Sequence, residues 1–257
     1  MTSAPDRDGT SERSGGHTSS SFPTTSWNLV SEAASSGRAM AELSKSYWYP
    51  IYAFMRRRGL SNADACDATQ DYFVRLIEGT LLLNASRARG RFRALLRRDC
   101  GYFLADRRDR EGAARRGGGA RHLSLDAERA EARYLAEPVD DEDAEAVFDR
   151  AWAMELLSRA YESLAVEASR TGRGIPFELL RDLLAPYQPP NSPARIAAEA
   201  GTTVGAVRAA AARLRRRFRE KLREEVAATL DDPSEADVDE EVFSLFQALG
   251  RRGGPKA

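Results

Sequence analysis

SPARIAAEAGTTVGAVRAAAARLRRRFREKL, residues 192–222, is the stretch on which the reading of this chain turns. Pro193 suits the first turn of a short helix, where its missing N–H would find no partner anyway. Gly201 supplies a stop, and Thr203 can cap the longer basic helix that follows. Ala197, Gly201 and Val207 fall at the spacing a helix-turn-helix needs. A small residue is required where the helices cross, glycine allows a left-handed turn, and valine anchors the second helix from beneath. Purely structural helical hairpins use a similar Ala/Gly pattern. The run Arg213, Arg215, Arg216, Arg217, Arg219 and Lys221 favours contact with a polyanionic backbone. Cations at a helix C-terminus also complement its dipole, which accounts for part of that charge.

Working outward, the whole chain has the same helical character. Its 257 residues allow one or two ordinary domains. At 42% hydrophobic it can build real cores, and Arg, Ala, Leu and Glu dominate over β-branched residues. That mixture favours helices over sheets. The formal net charge is zero, but only by cancellation. Residues 87–121 carry twelve Arg and four acids, a net of +8, and residues 126–149 carry ten acids and two Arg, a net of −8. Residues 208–223 return to +7, and residues 231–241 hold seven acids and no base. Two basic blocks far apart in sequence suggest two separate contacts with a polyanion. The alternation also leads to the expectation that the free protein folds its basic segments against its own acidic ones.

The segments divide as follows. Residues 1–26 contain twelve Ser or Thr and almost no large apolar side chain, and are expected to stay disordered. Residues 27–116 are helical in pattern: Leu43, Tyr47 and Ile51 step by four, with Phe54 and Met55 continuing the stripe toward Gly59, a C-cap. In SNADACDATQDYFVRLIE, residues 61–78, Ser61 or Asn62 caps a helix with Ala65, Thr69, Tyr72, Phe73 and Leu76 on one face. Asp64, Asp67, Asp71 and Glu78 gather opposite. Residues 117–146 read as an acidic linker of partial order, and residues 147–226 as a second helical domain begun by Phe148, Trp152, Leu156, Ala160 and Leu164. Residues 227–257 form an acidic tail whose VFSLFQALG suits either a short docking helix or an unordered end. The expected fold is all-α, two small helical domains joined by the acidic linker.

Several function classes fall away. Cys66 and Cys100 sit in helical patterns without a CxxC spacing, so neither a disulfide framework nor a zinc site is expected, and a reducing cytoplasm fits. There is no phosphate-cradling glycine loop, no metal-ligand set and no nucleophile with a base. An enzyme, a cofactor and a small-molecule substrate are therefore not expected. No apolar run is long enough for a membrane, so a cytoplasmic chain is expected.

Two segments carry a family resemblance. LSKSYWYPIYAFMRRRG, NADACDATQDYFVRLIE and GRFRALLRRDCGYFLADRRDRE resemble region two of bacterial RNA polymerase sigma factors of the extracytoplasmic-function type. Residues 193–222 with the preceding helix resemble region four. The resemblance implies that Asp64, Asp67, Gln70 and Asp71, within DACDATQD, dock on core RNA polymerase. Cys66 stands where the family has a carboxylate. It further implies that the third helix meets the opened downstream promoter element through Arg91, Arg93, Arg97, Arg98, Arg107 and Arg108. Among its aromatics, Phe92 and Phe103 share the apolar face with Leu96 and are expected in the core. Tyr102 projects outward as a stacking group and replaces a familial Asn.

For the upstream element, Arg208 is the expected base reader. Thr202, Thr203 and Arg213 are placed for bases or phosphates, and Arg215, Arg216 and Arg217 for phosphates. Ala209 to Ala212 can touch a thymine methyl but cannot make paired hydrogen bonds, so readout should be modest. Asp99 falls on an apolar face and is expected to find an Arg partner or partial exposure. Expected partners are core RNA polymerase, promoter DNA and an anti-sigma protein. The competing reading is an autonomous helix-turn-helix regulator that never binds polymerase.

Overall fold

The stripe Leu43, Tyr47, Ile51, Phe54 and Met55 forms one buried face of α1, Gly37–Arg57. The Ser36 hydroxyl caps its start by accepting from the Ala39 N–H at 3.4 Å. Past its end Gly59 takes a φ of +93°, a left-handed geometry that costs glycine little. This computed structural model describes residues 36–79, 81–82, 91–113, 125–137, 142–171, 174–184, 192–230 and 232–250, together with Ala33. The expected disordered leader, residues 1–26, lies outside them.

The remaining helices are α2 Asn62–Glu78, α3 Phe92–Ala113, α4 Leu125–Ala136 and α5 Ala144–Thr171. They are followed by α6 Phe177–Leu180, a 3₁₀ turn Arg181–Leu184, α7 Pro193–Glu199, α8 Val204–Ala227 and α9 Glu235–Gly250. The described residues are all-helical: nine α-helices and no strand. The periodicities of α2 and α5 hold. Ala65, Thr69, Tyr72, Phe73 and Leu76 are buried, as are Phe148, Trp152, Leu156, Ala160 and Leu164.

One main core gathers side chains from α1, α2, α3, α4, α5, α8 and α9. Phe54 of α1 meets Phe148 of α5 edge-on at 6.5 Å, and Tyr47 meets Phe92 of α3 edge-on at 5.6 Å. Among the described residues a split into two domains is not shown, since α1 packs along α5. A smaller core holds Leu180, Leu183, Ile196, Ala197, Val207 and Ala211, from α6 to the first half of α8.

Within the acidic segment 117–146, expected as a linker of partial order, residues Leu125–Ala136 form α4. Charge and ring contacts join the buried Ala130 in holding it to the body. Glu131 pairs with Arg56 at 2.7 Å and accepts from the Tyr52 hydroxyl. Arg133 pairs with Glu155 and lies over the Tyr49 ring at 3.6 Å. The tail also settles between its two alternatives: α9 is a helix that buries Val238, Leu245 and Ala248 against the body.

Candidate nucleic-acid interface

The helix-turn-helix stretch has the local geometry its sequence called for. Ser192 caps α7, its hydroxyl accepting from the Arg195 N–H at 3.3 Å. Gly201 turns the chain at φ +62°, and Thr202 N–H closes back on the Ala197 carbonyl at 2.9 Å. Thr203 then caps α8, its hydroxyl accepting from the Ala206 N–H at 3.2 Å. Ala197 and Val207 are buried in the smaller core, which fixes α7 against α8. That leaves Thr203, Gly205, Ala206, Arg208, Ala209, Ala212 and Arg213 exposed along the first half of α8, with Thr202 half-buried.

The arginines behind them differ. Arg216 is exposed, with Glu220 at 3.7 Å. Arg215 donates from Nε to the Leu183 carbonyl at 2.9 Å. Arg217 is held by both Glu167 oxygens, at 2.6 and 2.7 Å, and by Glu220 at 2.9 Å. Its hydrogen bonds to Glu167 raise the guanidinium above its ordinary range and hold the Glu167 carboxyl below its own. Arg217 thus ties α8 to α5.

The α3 arginines are similarly unequal. Arg93, expected at DNA, is buried with 10% of its side chain exposed. Its Nε donates to Glu241 at 2.7 Å, Nη1 to Asp149 at 2.9 Å and Nη2 to Ser244 at 2.8 Å. Its plane lies over the Trp152 ring at 4.4 Å. Arg91 pairs with Glu240 at 3.0 Å and Glu241 at 2.7 Å, and Arg97 shares Asp149. Arg107 pairs with Asp71 at 2.8 Å, and Arg108 donates to the Arg58 carbonyl at 3.0 Å. Arg98 and Tyr102 are exposed, Tyr102 by 61%. With Arg58, Leu95, Arg97 and Glu145 they line an open groove of about 660 Å³. Phe92 and Phe103 are buried.

Asp99 has the partner expected of it: Arg75 approaches one carboxylate oxygen at 3.4 Å and also reaches Asp106 at 3.3 Å. On α2, Asp64, Gln70 and Asp71 are exposed and Asp67 is half-buried. Asp64 is part of the cap, since its carboxylate accepts from the Ser61 hydroxyl at 2.7 Å. Sequence reasoning missed that Val74, 49% exposed, and Ile77, 54% exposed, stand on the same side as the acids. The signal was available, because residues 67, 70, 71, 74, 77 and 78 share one helical face. Cys66 beside it is buried, and burial with the Asp67 and Glu131 charges pushes its thiol up, so it stays protonated at neutral pH.

Comparison with protein-family models, curated proteins and solved structures gives no match. No helix among the described residues is long and apolar enough to cross a membrane.

Proposed function

We infer that this chain is a sigma-type transcription initiation factor, which binds core RNA polymerase and directs it to promoter DNA. The observation that carries the inference is the face of α2, where Gln70, Asp71, Val74, Ile77 and Glu78 are all exposed on a helix whose other side is core. DNA contact by itself does not call for such an acid-and-apolar stripe. A helix of the polymerase, basic and amphipathic, is a fitting partner for it.

In this reading α8 enters the major groove of the upstream element, with Arg208 toward base edges and Thr202, Thr203, Arg213 and Arg216 toward bases or phosphates. Arg215 and Arg217 orient α8 through their contacts with Leu183 and Glu167. The groove of Arg58, Arg97, Arg98 and Tyr102 receives the melted downstream strand, its cations meeting phosphate and Tyr102 stacking on a base. The two parts, residues 27–116 and 147–226, must then part around the acidic segment to span two promoter elements. The role is non-enzymatic, needs no cofactor and belongs in the cytoplasm, where an anti-sigma protein can control it.

The compact packing of α1 on α5 favours one rival, an autonomous helix-turn-helix regulator. Transcription by core polymerase on a pool of genomic DNA fragments, with and without the protein, separates the two. The sigma reading predicts 5′ ends that arise only when the protein is present and share two spaced elements. Unchanged 5′ ends, with DNA binding intact, would give the function to the regulator.

A further inference from the structure

We propose that α9 is an intramolecular competitor for nucleic acid, an acidic helix that covers the arginine face of α3 and must lift off before Arg91 and Arg93 can hold a phosphate. The inference rests on the nucleic-acid reading of α3 and extends it to Arg91 and Arg93, the two arginines of that run on which α9 sits.

The contact is built at atomic level. The Glu241 carboxylate is 1% exposed and lies between two cations, Arg91 at 2.7 Å and Arg93 at 2.7 Å. Glu240 adds a second pairing to Arg91 at 3.0 Å, and Ser244 accepts from Arg93 at 2.8 Å. One helical face, residues 240, 241 and 244, thus presents oxygens to both guanidinium groups, as successive phosphates would. The same helix reaches the second basic block: Arg223 of α8 pairs with Glu235 at 2.5 Å and with Asp239.

Occupancy by α9 and by a phosphate is mutually exclusive. A phosphate at Arg91 and Arg93 would need the position of the Glu241 carboxylate and would leave that buried charge uncompensated beside a second anion. By linkage, nucleic acid that uses these arginines must weaken the hold of α9, and α9 must weaken nucleic-acid binding by the same factor. The helix is suited to release. It is 16 residues long and C-terminal to the rest of the body, held by Val238, Leu245 and Ala248 with Val242 and Leu249 partly buried beside them, while Phe243 stays exposed.

The test uses the full chain and a fluorescent single-stranded oligonucleotide at low salt, read by anisotropy, alongside hydrogen exchange of the α9 amides. The paired variant Glu240→Gln, Glu241→Gln should bind the oligonucleotide about five- to 150-fold more tightly, the usual range of coupling between two sites. In the wild type, saturating oligonucleotide should speed exchange throughout residues 235–250. Should the variant misfold, this wild-type experiment decides alone. Bound oligonucleotide with α9 exchange unchanged or slowed overturns the competitor. Equal affinity of a folded variant and the wild type overturns it too, while leaving the DNA reading in place. Absence of binding by both, at low salt, removes the DNA reading of α3 itself and the competitor with it.

Discussion

Arg93 shows how much a single side chain can change between sequence and structure. In RFRALLRR it is one cation of a basic run, yet its guanidinium is fixed by Glu241, Asp149 and Ser244 over Trp152. Removing it takes one of two cationic partners from the buried Glu241 and one of two from Asp149, so Arg93→Ala should lower unfolding free energy by about 1–3 kcal/mol in urea denaturation. The exposed Arg98→Ala should stay within about 0.5 kcal/mol of wild type while weakening oligonucleotide binding. Equal stability of the two variants would refute this sorting. Asp99 was legible as a misfit, because a carboxylate between Leu95, Leu96 and Phe103 demands a partner. That Arg75 is the partner was not, since it depends on how α2 crosses α3. Acid should act through similar pairs. The Arg217 hydrogen bonds keep the Glu167 carboxyl below its ordinary value of 4.5. At Glu131 burial pushes upward, and the Arg56 and Tyr52 hydrogen bonds overcome it. Carboxyls lowered in the folded state stabilise it fully above their unfolded pKa, and that share is lost as pH falls through the folded one. Stability should therefore drop on acidification below about pH 4.5, and Glu167→Gln should shallow the drop. An unchanged pH profile in that variant would show that the pair contributes nothing.

Elements were readable wherever one rule governed them. α7, its turn and α8 could be read residue by residue, because caps, a left-handed glycine and a buried valine are each local requirements. Gly201→Ala forces a side chain into φ +62° and should cost about 1–2 kcal/mol. Thr203→Ala removes the cap and should cost about 1 kcal/mol. Both are measurable as shifts in the denaturation midpoint with an unchanged slope, and no shift for Gly201→Ala would contradict the turn geometry. The helix α4 was passed over because its segment is acidic and flanked by glycine and proline, while its hold on the body includes an exchange of charges with Arg56 and Glu155 that only the tertiary packing reveals. The attachment of α9 was undecided for a related reason. VFSLFQALG has apolar residues on two sides, and only tertiary contact selects Val238, Leu245 and Ala248 over Phe243 and Phe246.

At the scale of the whole molecule the alternation of charge blocks has a direct physical outcome. Acids of one segment sit on arginines of another: Glu131 on Arg56, Glu145 on Arg58, Asp149 on Arg93 and Arg97, Glu241 on Arg91 and Arg93. The all-helical class followed from composition, whereas the joint core of α1 and α5 did not, because a boundary read from an acidic, glycine-containing segment says nothing about what lies across it. Such a charge-zippered body is suited to opening when a stronger polyanion or a larger partner competes for its parts. The central claim is that the partner is core RNA polymerase and that it is met through α2. The most direct measurement is size-exclusion co-elution of the purified chain with bacterial core polymerase, beside the double variant Asp64→Arg, Asp67→Arg. Co-elution of the wild type and its loss in the folded variant are expected; a wild type that elutes alone would contradict the sigma reading.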